Sequence, residues 1–471
     1  MRRDSFPGGW WGRRAALASA AVTTVLLAAA CVPGTDGSAA GGSGTGADDA
    51  VPDPARAGKV TLTVWDQEVR GGQHAEIERL NEEFQKRYPN VRIKRVSRSF
   101  SDLKTTLKLA LSGNNPPDVV QTNQGYSDMV SFVRAGLLAP LDTYAGIYAW
   151  NTRYPNTLLN LNRVSADGTH FGTGRLYGIS QTGEYVGIYY NKDLLADAGV
   201  RPPRTWAEFE AALPRLKKRG IPPVQFGNLD KYPAIHLFGV LQNAYGGATA
   251  ARDTILGRGP GFDDAPTRRA ATTLADWAKR GYLPHDANGT GHDDAAKHFA
   301  DGKGAFLITG TWQLADLKKP MGDALGIMPP PPSSRGGPPV TTGGQGLAWS
   351  ITARSHHRQV AAAYLDFLTN AHAADAMTQE GVLPALPGKA ADRLDPDSAD
   401  GQMVAGWKAL NAHDGLVPYL DYTTPTFYDF LSARLQRVLG GQEDPEKLPA
   451  AMQHEYTTFT ARQRAGGQAA P

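Results

Sequence analysis

The sequence predicts an α/β fold divided into two lobes, and three observations carry that expectation. At 471 residues the chain is longer than the size at which one hydrophobic core keeps growing. Strand-like and helix-like stretches alternate from residue 60 onward, the order of a parallel sheet flanked by helices. Two stretches, 176–190 and 324–339, combine strand residues with glycine or proline and are the expected places for crossing between lobes. Surface loops use the same residues, so neither stretch is decisive alone.

Taken in order, the chain begins with Arg2, Arg3, Arg13 and Arg14 ahead of an uncharged run, residues 15–30. These are the basic and apolar regions of an export signal, too short for a comfortable bilayer span. Arg13-Arg14 also offers the arginine pair of the twin-arginine export route, without its flanking pattern. The run ends at Leu27-Ala28-Ala29-Ala30-Cys31, and Cys31 is the single cysteine of the chain. That ending resembles the lipobox of bacterial lipoproteins, which implies a diacylglyceryl anchor on Cys31 after removal of residues 1–30. It departs from the pattern in having Ala28 where Leu, Val or Ile is preferred, and an ordinary cleaved signal with an incidental cysteine is the alternative. Two acyl chains hold a protein at a membrane where one does not. With no second cysteine there is no disulfide, so a large core must supply the stability. Residues 31–58, mostly Gly, Ser, Ala, Thr, Asp and Pro, read as a flexible tether.

Residues 60–65 alternate apolar side chains and read as a strand, followed by a loop over 66–73. Ile77, Leu80, Phe84 and Tyr88 then recur at helical spacing over 74–88, and Pro89-Asn90 stops the helix. A strand over 91–96, a helix over 103–111, a turn at 114–117 and a strand from Asp118 follow. Residues 176–190 read as two strands joined through a Gly-containing segment, with a helix opening at Asn191. A short strand over 324–328 runs into the prolines 329–332. Residues 263–279, 293–300, 359–368 and 427–438 read as amphipathic helices.

Nine fragments in order give a further signal: Thr61-Leu62-Thr63-Val64-Trp65-Asp66, Phe84-Gln85-Lys86-Arg87-Tyr88-Pro89-Asn90-Val91, Asn115-Pro116-Pro117-Asp118-Val119-Val120, Ala135-Gly136-Leu137-Leu138-Ala139-Pro140-Leu141-Asp142, Leu176-Tyr177-Gly178-Ile179, Tyr190-Asn191-Lys192-Asp193-Leu194, Thr205-Trp206-Ala207-Glu208-Phe209, Gly302-Lys303-Gly304-Ala305-Phe306 and Gly310-Thr311-Trp312. The series resembles family 1 of the extracellular solute-binding proteins, the maltose-binding-protein-like group, over roughly 59–387. The resemblance implies a periplasmic-binding-protein-like type II fold, two discontinuous α/β lobes joined by hinge strands with a ligand cleft between them. It implies an N-terminal lobe of 59–183 with 329–358 and a C-terminal lobe of 187–325 with 359–465, the crossings falling near 181–187 and 326–330. The function implied is delivery of a sugar, oligosaccharides first, to the transmembrane subunits of an ABC permease by a monomer outside the cell, held at the outer face of the membrane through its anchor.

Sugars present hydroxyls in many directions and flat C–H patches, so a site needs carboxylates, amides and aromatic faces. Asp66, Gln67 and Glu68, and likewise Asn123 and Gln124, follow strands at the carboxyl edge where open α/β sheets bind ligands. A solvated loop is the competing reading for each. Glu184 is a carboxylate in an otherwise uncharged strand, which is unfavourable without partners, and the resemblance puts a ligand-contacting glutamate there. Tyr185 beside it faces either the cleft or the core. Trp312 coincides with the family's stacking tryptophan, with core packing as its alternative. Gly344 and Gln345 lie where backbone can approach a ligand. His236 aligns loosely with a cleft aromatic, and Tyr419 or Tyr422 with the one expected near the C-terminus.

A net charge of +3, from 49 basic and 46 acidic residues intermingled, leaves no basic run to track a phosphate backbone, so nucleic acid is not an expected partner. No nucleophile elbow, His-Glu-x-x-His pair or phosphate loop is present, and His285, His292 and His298 with nearby aspartates fit no familiar metal set. No cofactor, metal or enzymatic activity is expected. The rivals are a binding protein of the same fold for a polyamine or other non-sugar solute, and an extracytoplasmic glycosidase.

Overall fold

Strand β1, Val60–Asp66, forms because every second side chain is apolar, and Leu62 and Val64 are fully buried. The computed structural model describes residues 53–467, so the signal, Cys31 and the tether through residue 52 lie outside the described residues. The described end of the tether is tied down: Asn90 Nδ2 donates to the carbonyls of Pro54 and Gly58, both at 2.7 Å. Helix α1, Gly71–Arg87, starts earlier than the periodicity predicts and buries Ile77, Leu80 and Phe84. Strand β2, Val91–Ser97, pairs parallel with β1 from Val60↔Val91 onward. Helix α2, Phe100–Ser112, is capped by Ser99 and buries Leu103, Leu107 and Leu111 at four-residue intervals. Strand β3, Val119–Thr122, lies parallel on the other side of β1.

A second sheet is built around β4, Gly183–Asn191, nine residues buried throughout. Its later half pairs antiparallel with β5, Phe306–Gly310, and β6, Leu325–Met328. Its first residues pair antiparallel with β7, Thr341–Gln345, in the register Gly344↔Glu184. Strand β8, Ala348–Ile351, returns to the first sheet and lies antiparallel to β3, giving the order β8-β3-β1-β2. Asn191 caps the following helix, Lys192–Asp197, as its place in the sequence suggests.

The chain therefore passes between sheets at 180–182, since Ile179 bridges Trp349 of the first sheet while Gly183 opens β4. It passes back at 346–347, between β7 and β8. The second crossing expected at 326–330 is not there: the proline-rich loop joins β6 and β7, which both pair with β4. The expected flexible Gly-Gly stretch is strand, and glycine is required because a Cβ on Gly343 would stand 2.5 Å from the Glu184 carbonyl oxygen. A third passage follows at 382–385, where Gly183 N donates to Leu383 O and Ala385 N to Gln181 O, both at 2.9 Å. Helices Arg358–Thr369 and Ala371–Gln379, expected in the second lobe, pack instead on α1, the first of them also on β8.

Two apolar clusters each draw on both sheets, one including Tyr185 and Tyr189 of β4 and the other Val120 of β3 and Ala348 of β8. Leu62, Phe84, Trp349 and Tyr364 belong to one, and Phe209, Phe238, Trp277 and Phe306 to the other. Helix α3, Tyr232–Gly246, had no periodic signature because it is apolar nearly all round; eleven of its residues are buried, and it packs on β7 and on helix Ala265–Lys279.

Candidate ligand-binding cleft

A cleft of about 600 Å3, its mouth included, is lined by residues from the carboxyl ends of β1 and β3, from β4, α3 and β7, and from the C-terminal region. At the end of β1, Asp66 is fully buried and turned away from it. Arg95 Nε donates to Asp66 at 2.7 Å and Arg95 Nη2 at 2.9 Å, and Nη2 donates also to the Glu68 carbonyl at 2.7 Å. The Glu68 amide donates to Asp66 at 2.9 Å. This fully satisfied ion pair shapes the loop that brings Gln67 and Arg70 to the cleft. Arg70 spans to the other side, donating to Asp293 at 3.0 Å and to the Tyr232 hydroxyl at 3.4 Å.

Glu68 does not line the cleft but is buried behind it. Gln121 Nε2 donates to its Oε1 at 2.7 Å, while its Oε2 has no hydrogen-bond partner. Burial pushes this carboxyl up to about 7, against the Gln121 hydrogen bond and with help from the Asp66 charge. At the end of β3 the two amides divide. Asn123 lines the cleft and donates to Asp421 Oδ2 at 3.0 Å. Gln124 is sealed off, donating to the Gly346 carbonyl and accepting from the Tyr422 hydroxyl, both at 2.9 Å.

The alternation of β4 settles which of its neighbours faces the cleft. Glu184 does; Tyr185 points into the core, where its hydroxyl donates to the Met403 carbonyl at 3.2 Å. The Glu184 carboxyl is pushed up to about 8 by burial, then by the Glu68 charge, while the Tyr419 hydroxyl opposes this by donating to Oε2 at 3.3 Å. Gly346 makes room, since a Cβ there would come within 2.7 Å of Glu184 Oε1. In β7, Gln345 lines the cleft with its Nε2 given to the Leu158 carbonyl at 2.5 Å and its Oε1 unpartnered. Gly344 lines a separate cavity, beside Arg252 and Leu416.

Trp312 stands in the turn Thr311–Gln313 after β5, half-buried, with its indole Nε1 unpartnered and its ring 5.5 Å from that of His236. Burial pushes the His236 imidazole down to about 3, with His292 adding to the effect, so it is neutral. Tyr419 and Tyr422, between which the sequence could not choose, both line the cleft. The cleft also uses residues the sequence did not single out, among them Arg70, Phe100, Tyr232, Asp421 and Tyr428. Tyr232 was legible in principle, one helical turn before His236 and on the same face. Asp421, held up to about 6 by burial against Lys104 and Asn123, sits between the two tyrosines already noted. Buried and partly buried rings with amides and carboxyls at their edges suit a ligand that is polar at its rim and apolar on its faces. Among the described residues no group of three or more metal-ligating side chains could hold an ion.

Two α/β lobes linked by three strand passages, with a lined cleft between them, define a cleft-binding receptor. The chain belongs to the family of bacterial extracellular solute-binding proteins, which it matches over residues 71–375. Among its relatives is the multiple sugar-binding protein of Streptococcus mutans serotype c, 23% identical over 325 residues, 67% of this chain and 72% of the relative. An uncharacterized ABC transporter extracellular-binding protein of Pyrococcus horikoshii is 23% identical over 349 residues, 69% of this chain and 72% of the relative. Among solved structures, a chitin oligosaccharide binding protein superposes with a TM-score of 0.73 at 23% identity, covering 86% of this chain and 99% of that one.

Proposed function

We propose that this chain is the substrate-binding component of an ABC importer and holds a carbohydrate in the cleft, oligosaccharides being the first class to test. The observation that carries this reading is the half-buried Trp312, backed by His236 and facing a cleft edged by Glu184, Asn123 and Gln345. Such a ring buries a pyranose face while the edges take its hydroxyls. Relatives and structural neighbours whose names specify sugars support the same class of ligand. The reading places ligand contacts on Gln67, Asn123, Glu184, His236, Trp312 and Gln345, with Glu68 behind them, and gives Asp66, Gln124, Tyr185 and Gly344 supporting roles.

It further holds that the protein is a monomer without catalytic turnover, anchored through Cys31 outside the cell. The strand passages support lobes of about 59–179 with 347–381 and about 183–345 with 385–465. Thermal-shift titration with mono- and oligosaccharides tests the reading. A ligand at about one hundred times its dissociation constant raises stability by about 2.7 kcal/mol. A shift with diamines and none with any carbohydrate would overturn it, and release of shorter sugars from a labelled oligosaccharide would show an enzyme instead.

A further inference from the structure

Three carboxyl groups lie in series beside the cleft, and none is ion-paired among the described residues. Glu184 on β4 faces the cleft, Glu68 after β1 lies behind it, and Glu76 in α1 follows, with exposures of 6%, 4% and 1%. Their hydrogen bonds all come from neutral donors: the Tyr419 hydroxyl to Glu184, Gln121 Nε2 to Glu68, and Gln181 Nε2 to Glu76 at 2.5 Å. Glu68 Oε2 has no donor at all, so an acceptor is left over inside the cluster. The nearby cations are committed elsewhere. Arg95 is held by Asp66 and Glu78, Arg79 by Glu380, and Arg70 by Asp293 across the cleft. The Glu68 charge is the largest influence after burial on both Glu184 and Glu76. The other side of the same space is aromatic, with Tyr232, Trp312 and Tyr419 as its faces.

Arg70, which lines the cleft, lowers Glu68 and Glu184 only through space, and buried carboxyls without a direct ion pair are unfavourable unless a partner arrives. A hydroxyl would supply a donor but no charge, whereas an ammonium group supplies both and also finds favourable aromatic faces. We infer that the ligand this cleft is built for carries a basic nitrogen, making it an amino sugar or an oligosaccharide that contains one. The inference rests on the carbohydrate reading above: Glu184 contacts the ammonium, and Glu68 adds the second negative charge behind it.

The experiment compares matched pairs by titration calorimetry of the purified chain at near-neutral pH. The pairs are glucose and glucosamine, galactose and galactosamine, mannose and mannosamine, and cellobiose and the disaccharide of β-1,4-linked glucosamine. Each is run in two buffers of different ionisation enthalpy. The amine member is expected to bind tighter by about tenfold or more, the equivalent of one pKa unit of differential interaction. Its binding should release protons, because the arriving positive charge draws protons off Glu184 and Glu68. In Glu68→Gln the amine-over-hydroxyl ratio should shrink by about tenfold. Neutral members binding as tightly as their amine partners, without proton release, would overturn this inference and leave the carbohydrate reading intact. Simple diamines binding while every sugar fails, or no sugar binding at all, would overturn both.

Discussion

Asp66 and Glu184 are both buried carboxylates on strands beside the same cleft, and their surroundings are opposite. Asp66 has the Arg95 guanidinium against both of its oxygens and a backbone amide besides, and it does not reach the cleft. Glu184 has one hydroxyl at 3.3 Å and a like charge behind it, and it faces the cleft. A carboxylate whose hydrogen-bonding capacity the protein fills is structural, while one left short is ready for a ligand. The contrast separates scaffold from site more sharply than nearness to the strand ends does.

The largest expected effect breaks the scaffold half of the comparison. Asp66→Ala leaves Arg95 buried with one of its carboxylate partners gone, and removing one member of a buried pair costs about 3–5 kcal/mol. Urea unfolding of the variant should show that loss as a lower midpoint with an unchanged slope. A loss within about 0.5 kcal/mol would mean that the pair does not hold the loop after β1.

Next in size is an effect on binding. Trp312→Ala removes the ring proposed to cover a sugar face, and aromatic anchors of this kind are worth about 2 kcal/mol or more, roughly thirtyfold in affinity. Calorimetry with whichever sugar the thermal screen selects measures it, with circular dichroism confirming that the variant is folded. Undiminished affinity would move the site away from Trp312.

How much of this was legible depended on whether a residue's role followed from its own neighbours in sequence. The first sheet was readable because β1 and β2 alternate and α1 repeats at helical spacing, so local pattern equals burial. Helix α3 was not, since a helix buried on nearly every side loses its period. The rule about strand ends pointed to Gln67 and Asn123, which line the cleft, yet it could not tell that Arg95, 29 residues away, would claim Asp66. Alternation in β4 implied that Glu184 and Tyr185 face opposite ways, but its phase was fixed only by Met403 receiving the Tyr185 hydroxyl. The hinge was misplaced because prolines mark loops of any kind, whereas the need for glycine at 343 comes from the close approach of β4.

The smallest effect sharpens the comparison without requiring a ligand. The Glu184 carboxyl moves from its ordinary 4.5 in the unfolded chain to about 8 in the folded one. Between those values the native state holds the extra proton, so this group's contribution to stability is complete below about pH 4.5 and is lost as pH rises toward 8. Glu68 acts in the same direction up to about 7. Glu184→Gln keeps the shape, removes the titration, and should flatten the decline in stability between pH 5 and 8. The change in slope is at most about 1.4 kcal/mol per pH unit, the limit for one proton. It should be smaller here, because the Glu68 charge is part of what raises Glu184 and the two groups titrate together. Urea midpoints measured across that range for both proteins read the difference directly. Parallel profiles would mean that Glu184 is already paired in solution, which would place it with Asp66 on the scaffold side.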